Sequence, residues 1–169
     1  MRPAIEHPSR RRASAGFYLI EVMIGMLVLS VSFLGAGSVL LNSMKANHGA
    51  SLRNAAVLLA SDMAERLEAN RVAARNGRYE LAAGTVPTAT TDCTAQLCTA
   101  DQLATFDVAR WYQLVQSKLP SANAVVTRTA IGPPSVYQIE LTWTDRAWGG
   151  RGTGATETFT YRTTRTVSP

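Results

Sequence analysis

Residues 16–41 read GFYLIEVMIGMLVLSVSFLGAGSVLL, a segment that holds a single charged residue, Glu21. From Phe17 to Leu41 there are 25 residues, apolar or small apart from that acid. At about 1.5 Å per residue, a helix of this length crosses the hydrocarbon core of a bilayer. A cleaved secretory signal has a shorter apolar region followed by small residues at the cut, and this one is too long. Arg10, Arg11 and Arg12 precede it, and flanking basic residues stay cytoplasmic, so the chain beyond Leu41 emerges on the other side, in a bacterium the periplasm. A carboxylate costs about 3 kcal/mol at mid-bilayer on insertion scales, so Glu21 needs an account. Near the entry end of the span it either snorkels to water or meets a partner.

The formal charge of +5 first suggests an anionic partner. Its distribution argues otherwise: four of the 17 basic and one of the 12 acidic residues lie before Phe17, leaving 13 against 11. A nucleic-acid reader concentrates Lys and Arg on its folded part, so nucleic acid is not the expected partner. Cys93 and Cys98 lie five positions apart in the exported part, where an oxidising compartment joins such a pair. Metal ligation competes, but two thiols without a nearby His fall short of the four ligands of a structural zinc. A disulfide is the expected state. Closing so short a loop is worth roughly 2 kcal/mol in the chain-entropy account, which makes it a local staple.

Beyond Leu41 the helical pattern continues. Leu52, Ala56, Leu59, Met63 and Leu67 recur at three- and four-residue spacing and form one apolar stripe. The spacing predicts a single helix from about Phe17 to about Arg75, stopped at Asn76 and Gly77. Within it, Gly35, Ala36, Gly37 and Ser38 form the softest stretch, since each Gly costs a helix interior about 1 kcal/mol. The same small residues also permit close helix packing. Residues 78–92, rich in Thr, Ala and Gly, read as a loop that includes a short strand. Thr99 and Gln102 form a capping-box pattern opening a helix toward Leu119, with Leu103, Phe106, Trp111, Leu114 and Val115 expected on its buried side. Three alternating stretches, 124–131, 136–145 and 157–167, then predict an antiparallel meander. Tyr137, Ile139, Leu141 and Trp143 share the face turned to the helix.

The stretch GFYLIEV, residues 16–22, resembles the leader junction of type IV prepilins, with Glu21 fifth from Phe17. The likeness extends to LLASDMAERLEANR, the cysteine pair, TFDVARWYQLVQSKLP and YQIELTWTDR, and is strongest toward minor pilins. It implies an α+β fold of the type IV pilin kind, a long N-terminal helix packed on a small antiparallel head. It divides the chain into a leader (1–16), a transmembrane half-helix (17–41), a periplasmic half-helix (42–76) and a globular head (77–169). It implies that a prepilin peptidase cuts after Gly16 and methylates Phe17, and that the new amine of one subunit meets Glu21 of its neighbour. Each charge would then offset the other's desolvation. The implied partners are other minor and major pilins, the prepilin peptidase, the inner-membrane assembly machinery and, at the tip, an adhesin. No cofactor and no metal are implied. Tyr18 departs from the Thr or Ser usual at the second mature position, the 16-residue leader is longer than many, and Ser38 replaces the Pro of many major pilins.

Catalysis finds little support. His7 and His48 are the two histidines and neither lies in a nucleophile–base pattern. Gly149, Gly150, Gly152 and Gly154 form a Gly-rich stretch that lacks the Lys and Ser or Thr of a phosphate cradle, and it reads as a hairpin connection. Two rivals to a minor pilin remain: a pseudopilin of type II secretion, and a membrane-anchored module that binds an adhesin or DNA.

Overall fold

The computed structural model describes residues 18–146 and 155–168. Helix α1 spans Tyr18–Ala69, α2 Arg71–Arg75 and α3 Ala100–Lys118; strands β1 (Asn123–Ala130), β2 (Ser135–Arg146) and β3 (Thr156–Val167) follow. The strands form one antiparallel sheet in the order β1-β2-β3. This is the α+β architecture expected from the sequence, a long N-terminal helix and a small three-stranded sheet. The chain divides into two compact units, one ending at Ala46 and the other running from Asn47.

In the first unit α1 leaves every described residue from Tyr18 to Ala46 exposed. It is long and apolar enough to cross a membrane. The hydroxyls of Ser30, Ser32 and Ser38 donate to the carbonyls of Leu27, Val28 and Gly35, each at 2.8 Å. Those bonds satisfy polar groups that lipid would leave unpaired.

In the second unit the apolar stripe is buried as its spacing requires. Leu52, Ala56, Leu59, Met63 and Leu67, joined by Ala60, face the core. Opposite them lie Tyr137, Ile139, Leu141 and Trp143 of β2, with Ala124 and Val126 of β1. Burying a side chain the size of Leu or Ile contributes about 1.5–3 kcal/mol, so these two faces supply much of the cohesion of the head. The capping box at the start of α3 is present: Gln102 N–H donates to Thr99 Oγ1 at 3.3 Å and Thr99 N–H to Gln102 Oε1 at 2.9 Å.

Three expectations need correction. The first concerns the long helix, which breaks at Asn70 (φ −120°, ψ 59°) and resumes as α2. Asn is a poor interior helix residue because its amide competes for nearby polar groups. Here the buried side chain donates from Nδ2 to the carbonyl of Ala100 at 2.7 Å. The stop at Asn76 and Gly77 stands: Gly77 has φ +77°, Arg78 N–H donates to Ala73 O and Gly77 N–H to Ala74 O, a Schellman ending. The second concerns α3, whose buried face is Ala104, Val108, Trp111 and Val115. Leu103 and Leu114 are exposed and Phe106 is half-buried. Ala104, Val108, Trp111 and Val115 follow one another at four-, three- and four-residue spacing and form one helical stripe, and Leu103 and Leu114 fall beside it. The third concerns residues 78–92, where the short strand amounts to one antiparallel bridge, Leu81 to Val126.

Candidate functional site

Glu21 sits in the first turn of α1, where an acid is favoured by the helix dipole. It is the only charged residue between Tyr18 and Met44. Among the described residues it makes no hydrogen bond or ion pair, and the surface around it is wholly apolar: Tyr18, Leu19, Ile20, Val22 and Ile24 are all exposed. Chemically, this is a lone carboxylate acceptor on an apolar helix. Gly16 and Phe17, the residues of the expected cut, lie outside the described residues.

Cys93 and Cys98 are joined as a disulfide. The bridge closes a loop that ends one residue before Thr99, the cap of α3, so it tethers the chain at the point where that helix begins. Within the loop Asp92 Oδ1 accepts from Thr94 N–H at 2.9 Å and Thr94 Oγ1–H at 2.6 Å. Those two bonds hold its carboxyl below the usual carboxylate range.

A second polar arrangement escaped the sequence reading. Arg66, on the flank of the α1 stripe, reaches Asp62 one turn earlier (Nε to Oδ1, 3.1 Å) and Asp107 of α3 (Nη1 to Oδ1, 2.8 Å). The other oxygen of Asp107 accepts from the Tyr79 hydroxyl at 2.8 Å. Burial works against the Arg66 cation, but hydrogen bonding and attraction to Asp62 and Asp107 outweigh it, and the guanidinium is held more firmly protonated than usual. Burial, reinforced by Asp107, pushes the Tyr79 phenol well above its ordinary range. Nearby, Arg128 Nη1 donates to Arg75 O at 2.6 Å, and the buried Tyr137 hydroxyl donates to Ala74 O. Together these contacts fasten the end of α1, α2, α3 and the sheet into one head. The i,i+4 spacing of Asp62 and Arg66 was the one signal available from sequence; Asp107 and Tyr79 carry none.

Residues 39–109 match the model of a family described as Type IV pilin Tt1218. The match takes in the stripe of α1, the Arg66–Asp107 pair, the disulfide and the first half of α3. Over these residues the chain is similar to type IV pilins. No curated protein and no solved structure matches the chain. Among the described residues no group of three His, Cys, Asp or Glu side chains is placed to hold a metal ion.

Proposed function

We propose that the chain is a minor pilin of a type IV pilus, similar to PilV. It joins other minor pilins in a complex that primes or modifies pilus assembly, with consequences for adhesion and twitching motility. The observation that carries this reading is the unpartnered Glu21 on an exposed apolar helix, five residues into the segment that would begin at Phe17. Support comes from the pilin-family match over residues 39–109 and from the α+β architecture.

The mechanism follows from charge. Residues 1–16 act as a leader whose arginines hold the N-terminus in the cytoplasm while the head crosses to the periplasm. A prepilin peptidase cleaves after Gly16 and the amine of Phe17 is methylated. That amine remains cationic and sits at the membrane surface. When subunits pack side by side, it approaches Glu21 of a neighbour in a low-dielectric setting, where opposite charges attract strongly. The pair sets the axial register of the helices, and losing one member leaves the other buried without compensation. The segment 17–41 spans the membrane, 42–76 is the periplasmic half-helix that packs on the head, and the head from 77 onward presents the surface that selects other subunits. The oxidising periplasm suits the Cys93–Cys98 bridge.

Mass spectrometry of the purified protein tests this reading. The expected mature chain starts at N-methylated Phe17. A chain retaining residues 1–16 in cells that carry an active prepilin peptidase would overturn it. Replacing Glu21 by Gln is expected to abolish incorporation into surface fibres while leaving cleavage intact.

A further inference from the structure

Strand β3 presents an open edge: among the described residues nothing pairs with the side turned away from β2. The opposite edge of the sheet is protected. There β1 carries the bridge from Leu81, and its register slips between Arg128 and Ala130, two devices that blunt an edge. β3 has neither. Its pairing runs without a break from Ser135↔Val167 to Arg146↔Thr156, and it contains no proline. A long regular edge is a template for a further strand.

The sequence of that edge, TETFTYRTTRTV over residues 156–167, is complementary to itself. Laid antiparallel on a second copy with Tyr161 facing Tyr161, Glu157 falls opposite Arg165, and by symmetry the contact occurs twice. Thr158 then meets Thr164 and Thr156 meets Thr166. No like charges oppose one another; Arg162 lies opposite Thr160 and keeps its own partner, Glu140, at 2.7 Å. Residues 157, 159, 161, 163 and 165 share one face, so the faces of the two sheets stay matched. Other symmetric registers that match the faces lose the Glu157–Arg165 pairing.

Within its own chain this acid is poorly placed. Glu157 stands across from Asp145 in the β2–β3 ladder, and Asp145 already has His48 Nε2 at 3.9 Å, so Glu157 finds an acid and not a cation opposite it. Glu157 and Arg165 are both exposed, and neither makes an ion pair or hydrogen bond among the described residues. A cation arriving beside Glu157 supplies the partner it lacks among the described residues. We infer that the β3 edge is a docking surface for the β3 edge of a second copy of this chain, joined by antiparallel strand addition and two Glu157–Arg165 pairs. The two-fold axis passes through the Tyr161 pair, normal to the sheet, and makes one continuous six-stranded sheet from two three-stranded ones.

Sedimentation equilibrium of the full chain in detergent, with Glu157→Arg and Arg165→Glu variants, tests the inference. Each variant alone places two like-charge pairs across the axis and is expected to weaken self-association by at least about tenfold. Mixing the two variants recreates opposite charges at both contacts, and the mixture is expected to associate as the native chain does. Unchanged circular dichroism verifies that both variants fold. A native chain that stays monomeric, single variants that associate like it, or a mixture that fails to recover would each overturn the proposal. None of these outcomes bears on cleavage at Gly16, so the pilin reading stands or falls separately.

Discussion

Replacing Asp107 by Ala removes the acceptor on which two elements of the head converge. Tyr79 is fully buried, and its hydroxyl donates to Asp107 Oδ2 at 2.8 Å. Without that oxygen the phenol is left inside the head with an unpaired donor, a cost of about 1–3 kcal/mol. The Arg66–Asp107 bridge adds less, because the guanidinium side chain is 29% exposed and water screens the pair; about 0–1 kcal/mol is appropriate. Arg66 keeps Asp62, which limits the loss further. The expected total is about 2–3 kcal/mol, which for a domain of this size lowers the midpoint of thermal unfolding by about 10 °C. A double-mutant cycle with Tyr79→Phe separates the two contributions. With the hydroxyl already gone, Asp107→Ala is expected to cost about 1 kcal/mol less than it does in the native chain. Urea unfolding followed by Trp fluorescence and far-ultraviolet circular dichroism gives each corner of the cycle. If Asp107→Ala unfolds within about 0.5 kcal/mol of the native chain, or if the two substitutions simply add, the network does not hold the head together as described.

Three further outcomes are expected. Burial chiefly raises both Tyr79 and Tyr137 above the ordinary phenol value of 10.0, so ultraviolet titration of the folded protein is expected to show these two tyrosines ionising above that value. Because folding raises these values, their contribution to stability is complete below pH 10 and declines as the pH climbs beyond it; early, uniform ionisation of all tyrosines in the folded chain would contradict this. Gly77→Ala places a Cβ at φ +77° and 2.9 Å from Arg128 Nη2, and is expected to cost about 1–2 kcal/mol in urea unfolding, whereas a neutral result would show that the turn relaxes freely. Trp111→Phe loses the 2.8 Å bond to Leu59 O and part of a fully buried side chain, so a loss of about 1–3 kcal/mol and a collapsed near-ultraviolet circular dichroism signal are expected; an unchanged spectrum would place Trp111 outside the core.

Periodicity carried most of the fold into the open. The run from Phe17 to Leu41, the stripe from Leu52 to Leu67, the Thr99–Gln102 cap, the Gly77 stop and the alternation of Tyr137 to Trp143 are each written within a few residues of chain. Such signals survive without knowledge of the neighbours, because a helix or strand face is fixed by local spacing. Glu21 was conspicuous for the same reason, as a charge where the surrounding composition allows none.

What the sequence by itself determined is therefore the long apolar helix, its lone acid, the stripe and the order of helix and strands. Tertiary structure decided which side chains meet across distance: Arg66 with Asp107, Tyr79 with the same carboxylate, Asn70 with Ala100, Glu157 facing Asp145. It also decided that α3 packs through Ala104 in place of Leu103, and that β3 and not β1 is left with an open edge. The physical reason is that local patterns obey the geometry of one element, whereas these contacts depend on how closely separate elements approach, a quantity that no stretch of ten or twenty residues contains.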